Sequence, residues 1–584
     1  MRSSSILAAA CLTGVGSSNA TTDGVGYLQP SLTASLFPSE ANADTTNFFT
    51  MEKCGQFELE EATIDEMQAA MAAGTLTSVQ LVVCYMVRNF QTDDYTNSLL
   101  QMNPDALAIA AQMDAERAAG HVRGPLHGIP FSVKDNIATK DNMETTAGSW
   151  ALLGSVVPRD AFVVSQLRAA GAVLFGKATL SEWADMRSNS YSEGYSGRGG
   201  QCRSAYNLTM NPGGSSSGSG VAVSINAVAF SLGTETDGSV ISPAERNAIV
   251  GIKPTVGLTS RAGVIPESEH QDTVGTFGKT VRDAVYALNG IYGIDARDNY
   301  TSGQDEKTPS GGYAQYLTTK CSLKGAVFGL PWNSFWVYAS EDEQTQLLEI
   351  ISMIEAAGAT IVNNTEILDY ETIVSTDGWD WDWGTTRGYA NESEYTVVKV
   401  DFYNNIKTYL SELNNTEIRS LEDIIAYNYA NDGAEGGYAY GDQVGSAAFK
   451  SGQDGFLASV ATKGVQNETY WQALEYVQTS TRNGIDYALE HNGTRLAGLL
   501  VPPKVGQTYQ IAAQAGYPMI TVPAGVFADT GMPFGLAIMQ TAWAETELVR
   551  WGSAIEDLLL KSGTQYGRTL PKWHEYLTRN IPVY

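Results

Sequence analysis

The sequence contains few cysteines, few histidines and few basic residues. Of its 584 residues, five are Cys, five are His and 36 are Lys or Arg, against 64 Asp or Glu, so the formal net charge is −28. A chain this acidic repels nucleic acid and anionic membranes, and neither is expected as a partner. Solubility is the simpler explanation of the charge, and attraction of cationic substrates is the alternative. No C-x-x-C or H-E-x-x-H spacing occurs, so we expect no metal and no cofactor.

The first twenty residues predict a signal peptide. Arg2 supplies a positive charge, residues 6–15 are apolar, and Ser18-Asn19-Ala20 is a small-x-small cleavage site. No apolar run reaches the roughly 18 residues of a transmembrane helix, so we expect a soluble, secreted product. Residues 21–55 would form an N-terminal extension and residues 56–584 the globular domain.

Secretion is compatible with disulfides and N-glycosylation. Cys11 would leave with the signal peptide, and the four remaining cysteines allow three pairings. We predict the pair Cys54–Cys84, with Cys202–Cys321 as a weaker candidate and free buried thiols as the alternative. Seven N-x-S/T sequons together with a signal peptide favour the eukaryotic secretory route. They lie at Asn207, Asn299, Asn363, Asn391, Asn414, Asn467 and Asn492.

Short apolar strands alternate with helices through much of the chain. Residues 128–133 and 172–175 have the pattern of strands, and the helix predicted between them spans residues 159–170. The same alternation recurs over residues 325–362. This order indicates an α/β fold built on βαβ units with parallel strands. Residues 365–470, rich in Tyr, Trp, Asn and Gly, predict irregular structure that forms either surface loops or a substrate lid.

Three segments carry candidate chemistry. Lys134 ends an apolar strand, where desolvation would lower its pKa and make it a general base. Residues 213–220 (GGSSSGSG) predict a tight turn that opens a helix, whose N–H groups can bind negative charge. Residues 233–243 (GTETDGSVISP) follow a strand, and the N–H groups around Gly238 could form an oxyanion hole.

In this order and spacing, the three segments resemble those of the amidase signature family. The nucleophilic serine of that family lies 24 positions after the first serine of the Gly/Ser turn, and here 239 − 215 = 24. The resemblance covers about residues 56–570 and includes further family motifs. They are residues 145–149 (TTAGS), 251–258 (GIKPTVGL), 515–518 (AGYP), 522–525 (VPAG) and 533–536 (PFGL).

The resemblance implies a fold, a reaction and a set of site residues. The fold would be α/β, with a central twisted mixed sheet covered by helices. The reaction would hydrolyse a carboxylic amide to an acid plus ammonia or an amine. Ser239 would be the nucleophile, Ser215 a proton relay after a cis peptide bond, Lys134 the base and Ser216 a supporting partner. The oxyanion would be held by the backbone N–H groups of Thr236, Asp237, Gly238 and Ser239.

Several positions depart from the family pattern. Glu235 stands in place of Asp, Asp237 and Ser217 in place of Gly, and Ile241 in place of Arg. A peptide-amidase-like branch of the family has a similar T-E-T-D-G-S run without the Arg. The resemblance to this branch favours amidated peptides or amino-acid amides as substrates, with fatty-acid amides as the alternative.

Three other functions are compatible with parts of the sequence. Residues 214–218 match the G-x-S-x-G motif of Ser-His-Asp hydrolases, but no histidine has a context that marks it as the base. The candidates are His121, His127, His270, His491 and His574. A transamidase subunit that acts on charged tRNA is disfavoured by the signal peptide, the sequons and the acidic charge. A secreted binding protein without catalysis is disfavoured because Lys134, Ser215 and Ser239 are all present.

Overall fold

The computed structural model describes residues 48–435 and 448–583. The predicted signal peptide and most of the N-terminal extension therefore lie outside the described residues. The helices are α1 Ile64–Ala72, α2 Ser78–Thr96, α3 Ala106–Ala118, α4 Phe162–Ala169, α5 Ser217–Ser224, α6 Ile241–Glu245, α7 Val281–Asn289, α8 Glu341–Ala356, α9 Tyr370–Ile373, α10 Trp383–Thr386, α11 Glu394–Glu412, α12 Leu421–Ala430, α13 Asp454–Thr462, α14 Glu468–Ala488, α15 Gly506–Ala515 and α16 Glu545–Leu560.

The strands form a large sheet and two small ribbons. They are β1 Leu99–Met102, β2 Pro130–Lys134, β3 Val173–Ala178, β4 Tyr195–Ser196, β5 Gly200–Gln201, β6 Phe230–Glu235, β7 Val250–Lys253, β8 Thr273–Gly278, β9 Val327–Leu330, β10 Thr360–Asn363, β11 Glu490–His491, β12 Thr494–Arg495, β13 Gly498–Val501, β14 Met519–Val526 and β15 Pro533–Met539. Eleven of these described strands form the sheet, in the order β1-β3-β2-β6-β8-β7-β14-β15-β13-β9-β10.

The large sheet is mixed, as the family resemblance implied. Strands β3, β2 and β6 pair in parallel, as do β13, β9 and β10, while the strands between these two groups pair antiparallel. The βαβ prediction therefore holds where the sequence alternation was clearest, over residues 128–178 and 325–363. The antiparallel centre is not apparent from local patterns because it depends on which distant strands pair.

Helices cover both faces of this sheet. Gly278 of β8 packs against Ala284 of α7, while Gly251 of β7 packs against Ala244 of α6. Gly251 is paired with Phe277, the residue next to Gly278, and neighbouring residues of a strand face opposite sides. Helices α6 and α7 therefore lie on opposite faces, and β2, β6 and β8 between the layers are buried along their whole length.

Strands β2 and β6 position the candidate base near the nucleophile segment. They are parallel neighbours, with Val133 opposite Leu232, so Lys134 and Thr234 lie at the same edge of the sheet. The carboxyl ends of parallel strands are where open α/β sheets bind their ligands. The sequence therefore brings the first and third chemical segments together through one strand pairing.

Several helices begin at side chains that cap them. Thr63 and Thr77 cap α1 and α2, each in a capping box with the residue three positions later. Ser340 caps α8, and its hydroxyl accepts a hydrogen bond from the Glu343 N–H. Helix α4 begins at Phe162 rather than at residue 159, because Ala161 is extended and serves as the cap position.

The prediction of irregular structure over residues 365–470 was wrong for much of its described part. Helix α11 alone has 19 residues, and α12 and α13 follow it. Helices α11 and α13 pack against each other, and α11 also packs on α14. Trp379 and Trp381 lie before these helices and reach the cavity described below.

Cys54 and Cys84 form a disulfide, as predicted. Cys202 is a free buried thiol and Cys321 is a free exposed one, so the weaker candidate pair is wrong.

We expect the double variant Cys54→Ser/Cys84→Ser to lose about 3–4 kcal/mol of unfolding free energy, because the bridge closes a loop of sequence separation 30. Thermal unfolding beside Cys321→Ser, which removes no bridge, measures this. Equal midpoints for the double variant and the wild type would contradict it.

The sequons differ in how accessible they are. Asn299, Asn363, Asn414, Asn467 and Asn492 are exposed, and Asn391 is half-buried. Asn207 is buried, and its side-chain nitrogen donates a hydrogen bond to the Thr530 carbonyl at 2.9 Å. This nitrogen is the atom to which a glycan would be attached, so the folded protein has no room for a sugar there.

Within the described segments, no helix is both long and apolar enough to cross a bilayer.

Candidate active site

Lys134 is fully buried at the end of β2. Its Nζ lies 2.7 Å from Ser215 Oγ, 2.9 Å from Thr234 Oγ1 and 3.2 Å from the Thr234 carbonyl oxygen. A neutral amine has two N–H donors and one lone pair. An ammonium fills these three contacts by donating to all of them, with Ser215 donating on to Ser239 Oγ. The neutral amine fills them by donating twice to Thr234 and accepting the Ser215 hydroxyl proton, so the geometry accommodates both protonation states.

Ser215 joins the lysine to the nucleophile segment. The peptide bond between Gly214 and Ser215 is cis, and Ser215 Oγ lies 2.9 Å from Ser239 Oγ. Ser215 is fully buried, while Ser239 is 4% exposed and lines a cavity. The structure thus brings the three predicted catalytic side chains into one continuous chain of hydrogen-bonding contacts that ends at the cavity.

Burial lowers the pKa of Lys134 to about 8. The carboxyl groups nearby oppose this shift, in the order Glu267, Asp185, Asp272 and Glu193. None of them forms an ion pair with Lys134 within 4.0 Å in the described residues, and desolvation prevails. About a tenth of Lys134 is therefore uncharged at pH 7, far more than for an ordinary lysine, and this neutral form is the one that can act as a general base.

Thr234 and Asn136 complete the support of the base. Thr234 Oγ1 accepts hydrogen bonds from Lys134 and from Asn136 Nδ2, the latter at 2.9 Å. The Thr234 carbonyl oxygen also accepts a hydrogen bond from Ser216 Oγ at 3.0 Å. Ser216 therefore contacts the strand end that also holds Lys134, and not the lysine itself. Thr234 was not singled out from the sequence, although it stands inside the third segment.

The turn that carries Ser239 is held by Glu235. Its Oε2 accepts hydrogen bonds from the N–H groups of Val240 at 2.7 Å and Ile241 at 3.0 Å. Glu235 thus binds the backbone after Ser239 through one oxygen, while its Oε1 is buried and has no hydrogen-bond partner in the described residues. Gly238 has a φ of +78°, and a Cβ there would lie 2.5 Å from the ring of Tyr509. Only glycine satisfies both the turn and this packing.

A cavity of about 80 Å³ opens beside Ser239. The predicted oxyanion residues Thr236, Asp237, Gly238 and Ser239 all line it. No histidine is among its described lining residues, and His127, His270 and His491 make their contacts elsewhere. The geometry therefore provides no base for a Ser-His-Asp site.

The rest of the cavity wall is acidic and aromatic. Its carboxyl groups belong to Asp185, Glu193, Asp237 and Glu267, and its rings to Tyr191, Trp379, Trp381 and Tyr509. Burial raises the pKa of all four carboxyl groups. Repulsion from a second carboxyl adds to this effect at Asp185, through Glu193, and at Asp237, through Glu394.

Most of these wall residues were missed from the sequence. The Trp379–Trp383 run was noted as part of a possible lid, and Asp237 as a departure from the family pattern. Asp185, Glu193, Glu267 and Tyr509 stand in segments without a local motif, and only long-range packing brings them to Ser239. In the described segments, no group of His, Cys, Asp or Glu side chains could hold a metal ion.

Comparisons with known proteins agree with this geometry. The family model named Amidase matches residues 80–426. A protein of Schizosaccharomyces pombe named as an amidase is 59% identical over 551 residues, which cover 93% of this chain and 92% of that protein. An Arabidopsis thaliana protein that is also named as an amidase is 41% identical over 508 residues, which cover 86% of this chain and 91% of that protein. The solved peptide amidase of Stenotrophomonas maltophilia is 35% identical, with a TM-score of 0.73 and coverage of 88% of this chain and 98% of that chain.

Proposed function

The chain belongs to the amidase family and is an amide hydrolase, and we propose that it acts through an acyl-enzyme on Ser239 with Ser215 and Lys134 as its proton relay. The observation that carries this proposal is the buried line of contacts from Lys134 Nζ through Ser215 Oγ to Ser239 Oγ, at 2.7 and 2.9 Å. Each step is short enough for a proton to pass along a hydrogen bond.

In the first half of the reaction, Ser239 Oγ attacks the carbonyl carbon of the amide. Its proton passes to Ser215 Oγ while the Ser215 proton passes to the Lys134 lone pair. The backbone N–H groups of the 236–239 turn would hold the negative oxygen of the tetrahedral intermediate. The relay then returns the proton to the leaving nitrogen, the C–N bond breaks, and ammonia or an amine departs from the acylated serine.

In the second half, water attacks the ester formed on Ser239. The same relay removes a proton from the water and delivers one to Ser239 Oγ as the acyl–oxygen bond breaks. A free carboxylic acid leaves and the serine is restored. The relay therefore ends each cycle in its starting state and needs no cofactor.

The competing functions receive less support. A histidine-based site lacks a histidine at the described cavity, and a binding protein would have no need of a buried lysine with a lowered pKa. Several transamidase subunits are also related to this chain, for example one of Symbiobacterium thermophilum at 29% identity. The predicted signal peptide and the net charge of −28 favour hydrolysis outside the cytosol over action on charged tRNA.

The likeness to a peptide amidase supports amidated peptides or amino-acid amides as the substrate class. A fatty-acid amide is disfavoured because the cavity beside Ser239 is small and four carboxyl groups line it. We also propose that the protein is secreted. The leader-like N-terminus, the six sequons outside the buried Asn207, and the Cys54–Cys84 disulfide are what an exported protein would carry.

Ammonia release from a panel of amides tests the proposed substrate class. We expect turnover of small amino-acid amides and dipeptide amides, and little turnover of long-chain fatty amides. The panel is run with purified wild-type protein by coupled detection of ammonia. Preference for a long-chain fatty amide would contradict the proposed substrate class.

A further inference from the structure

The cavity beside Ser239 is lined by four carboxyl groups that have no ion-pair partner in the described residues. Asp185, Glu193, Asp237 and Glu267 all line it, and none forms an ion pair within 4.0 Å in the described residues. The described lining residues include no lysine, arginine or histidine. Four carboxyl groups therefore face one small space without a counter-charge on its wall.

Two of these carboxyl groups have an oxygen with no hydrogen-bond donor. Oδ1 of Asp185 and Oδ1 of Asp237 are buried atoms that no donor in the described residues reaches with hydrogen-bond geometry. The carboxyl groups do have neighbours, since the Ser181 and Tyr191 hydroxyls interact with Asp185 and the Glu394 carboxyl interacts with Asp237. The other oxygen of Asp237 accepts a hydrogen bond from the indole nitrogen of Trp379. A buried carboxylate oxygen without a donor is costly, and a ligand that donates hydrogen bonds removes that cost.

Four aromatic side chains line the same cavity as the four carboxyl groups. Tyr191, Trp379, Trp381 and Tyr509 line the same cavity, and Trp381 stacks on Tyr395 behind it with ring centroids 5.0 Å apart. The faces of aromatic rings attract ammonium groups, and this attraction is stronger in sites from which water is excluded. Carboxylates and aromatic rings together form the chemistry that recognises an organic cation.

The acids are not explained as counter-charges to Lys134. The amine is occupied by Ser215 and Thr234, and no carboxylate lies within ion-pair distance of it in the described residues. Glu193 instead lies over the backbone beside the relay, since a Cβ on Gly214 would be 1.7 Å from its Oε1. One buried amine could balance one negative charge, and the cavity has four carboxyl groups.

We propose that this cavity binds an acyl group that carries an ammonium ion, so that the preferred substrates are amides of amino acids with a free, protonated amine. This inference rests on the proposed function, because the ammonium must arrive on the same molecule as the amide that Ser239 attacks. Bound between the acids, the ammonium favours their ionised forms, since its charge offsets the burial and mutual repulsion that disfavour them.

The size of the cavity favours an α-amine over a longer basic side chain. At about 80 Å³ the cavity is small. An α-amine lies two bonds from the amide carbonyl carbon and so stays beside Ser239, whereas the ammonium of a lysine side chain lies several bonds further away.

A matched pair of substrates isolates the effect of the ammonium group on kcat/KM. L-alaninamide and L-lactamide have the same shape, and both carry an electron-withdrawing group on the α-carbon, but only the first is a cation. We expect kcat/KM to be on the order of tenfold to hundredfold higher for alaninamide at pH 7. A second pair, Nα-acetyl-lysinamide and Nα-acetyl-norleucinamide, tests whether a side-chain ammonium has the same effect. We expect a smaller ratio of kcat/KM for this pair.

Variants of the wall test which groups produce the preference. We expect Asp185→Asn and Glu193→Gln each to lower the alaninamide to lactamide ratio by about fivefold or more. Glu341→Gln and Asp342→Asn, on the exposed start of α8, serve as matched controls for overall charge and should leave the ratio unchanged. With the wild type alone, ethylammonium should inhibit lactamide hydrolysis competitively and ethanol at equal concentration should not, a result that needs no variant to fold.

The outcomes distinguish this inference from the proposed function. If Ser239-dependent hydrolysis occurs but lactamide reacts as well as alaninamide, the ammonium inference is wrong and the proposed function stands. If the preference falls equally in the Glu341→Gln control, long-range charge produces it and the cavity assignment is wrong. If hydrolysis does not require Ser239, the proposed function itself fails.

Discussion

Ser239→Ala is expected to lower kcat/KM for amide hydrolysis by at least about 10⁴-fold, because it removes the atom that attacks the carbonyl. Ser239 Oγ is the end of the relay that faces the cavity, and Ser215 cannot replace it because Ser215 is fully buried behind it. The loss should appear in kcat/KM for every amide that the wild type hydrolyses. Ammonia release by the variant and the wild type measures it.

Ser217→Ala is the matched control for this variant. Ser217 is also a buried serine of the Gly/Ser turn, and its hydroxyl has no hydrogen-bond partner in the described residues. Its removal should leave kcat/KM within about threefold of the wild type. Acid quenching during turnover, followed by intact-mass measurement, should find the acyl group on wild-type protein and not on Ser239→Ala. Full turnover by Ser239→Ala would rule out the acyl-enzyme mechanism.

Lys134→Met is expected to cause a loss of similar size, for a different reason. The thioether fills much of the same buried space but cannot accept a proton from Ser215. The amine is costly to desolvate but its removal also breaks the hydrogen bonds to Ser215 and Thr234, so thermal unfolding of the variant beside the wild type is needed to separate misfolding from loss of the base. Lys134→Arg should also be inactive, since the guanidinium stays protonated at any working pH.

The pH profile of the wild type gives a second test of the lysine. The pKa of Lys134 is lowered to about 8, so the neutral, active form increases as the pH rises towards 8 and predominates above it. With lactamide, which has no titrating group, kcat/KM should rise by up to about tenfold per pH unit below 8 and level off above. Negative charge on Glu267, Asp185, Asp272 or Glu193 raises the pKa of Lys134, so their neutralisation would shift the profile to lower pH. A flat profile between pH 6 and 9 would contradict the role of Lys134 as base.

The proximity of Lys134, Ser215 and Ser239 was predictable from the sequence because it depends on local motifs and one strand pairing. Lys134 ends an apolar strand and Ser239 follows another, and these two strands are parallel neighbours. The Gly/Ser turn then places Ser215 between them. Each of these features has a short-range signal, and the resemblance to the family supplied their order.

The substrate cavity was not predictable in the same way. Asp185 and Glu193 come from a loop after β3, Glu267 from a loop before β8, and Tyr509 from α15. No local spacing relates these residues, because their proximity is a product of how the whole sheet and its helices pack. In the sequence, the three carboxyl groups contribute only to the large negative net charge and are not marked as neighbours.

The prediction of irregular structure was wrong over helix α11 for a different reason. Val398, Phe402, Ile406 and Leu410 recur every fourth residue, and all are buried. This periodicity is typical of an amphipathic helix. The abundance of Tyr, Asn and Trp around this helix is typical of irregular structure, but the spacing of the apolar residues determines the structure that forms.

The contact between Gly238 and Tyr509 has a consequence for when the enzyme becomes competent during synthesis. More than 250 residues separate the two, since 509 − 238 = 271, and Tyr509 is one wall of the space in which the substrate must lie. A nascent chain that has passed residue 239 already contains the nucleophile, the relay and the base. It still lacks a finished pocket until the ribosome has added almost the entire protein, which delays activity until translation is nearly over.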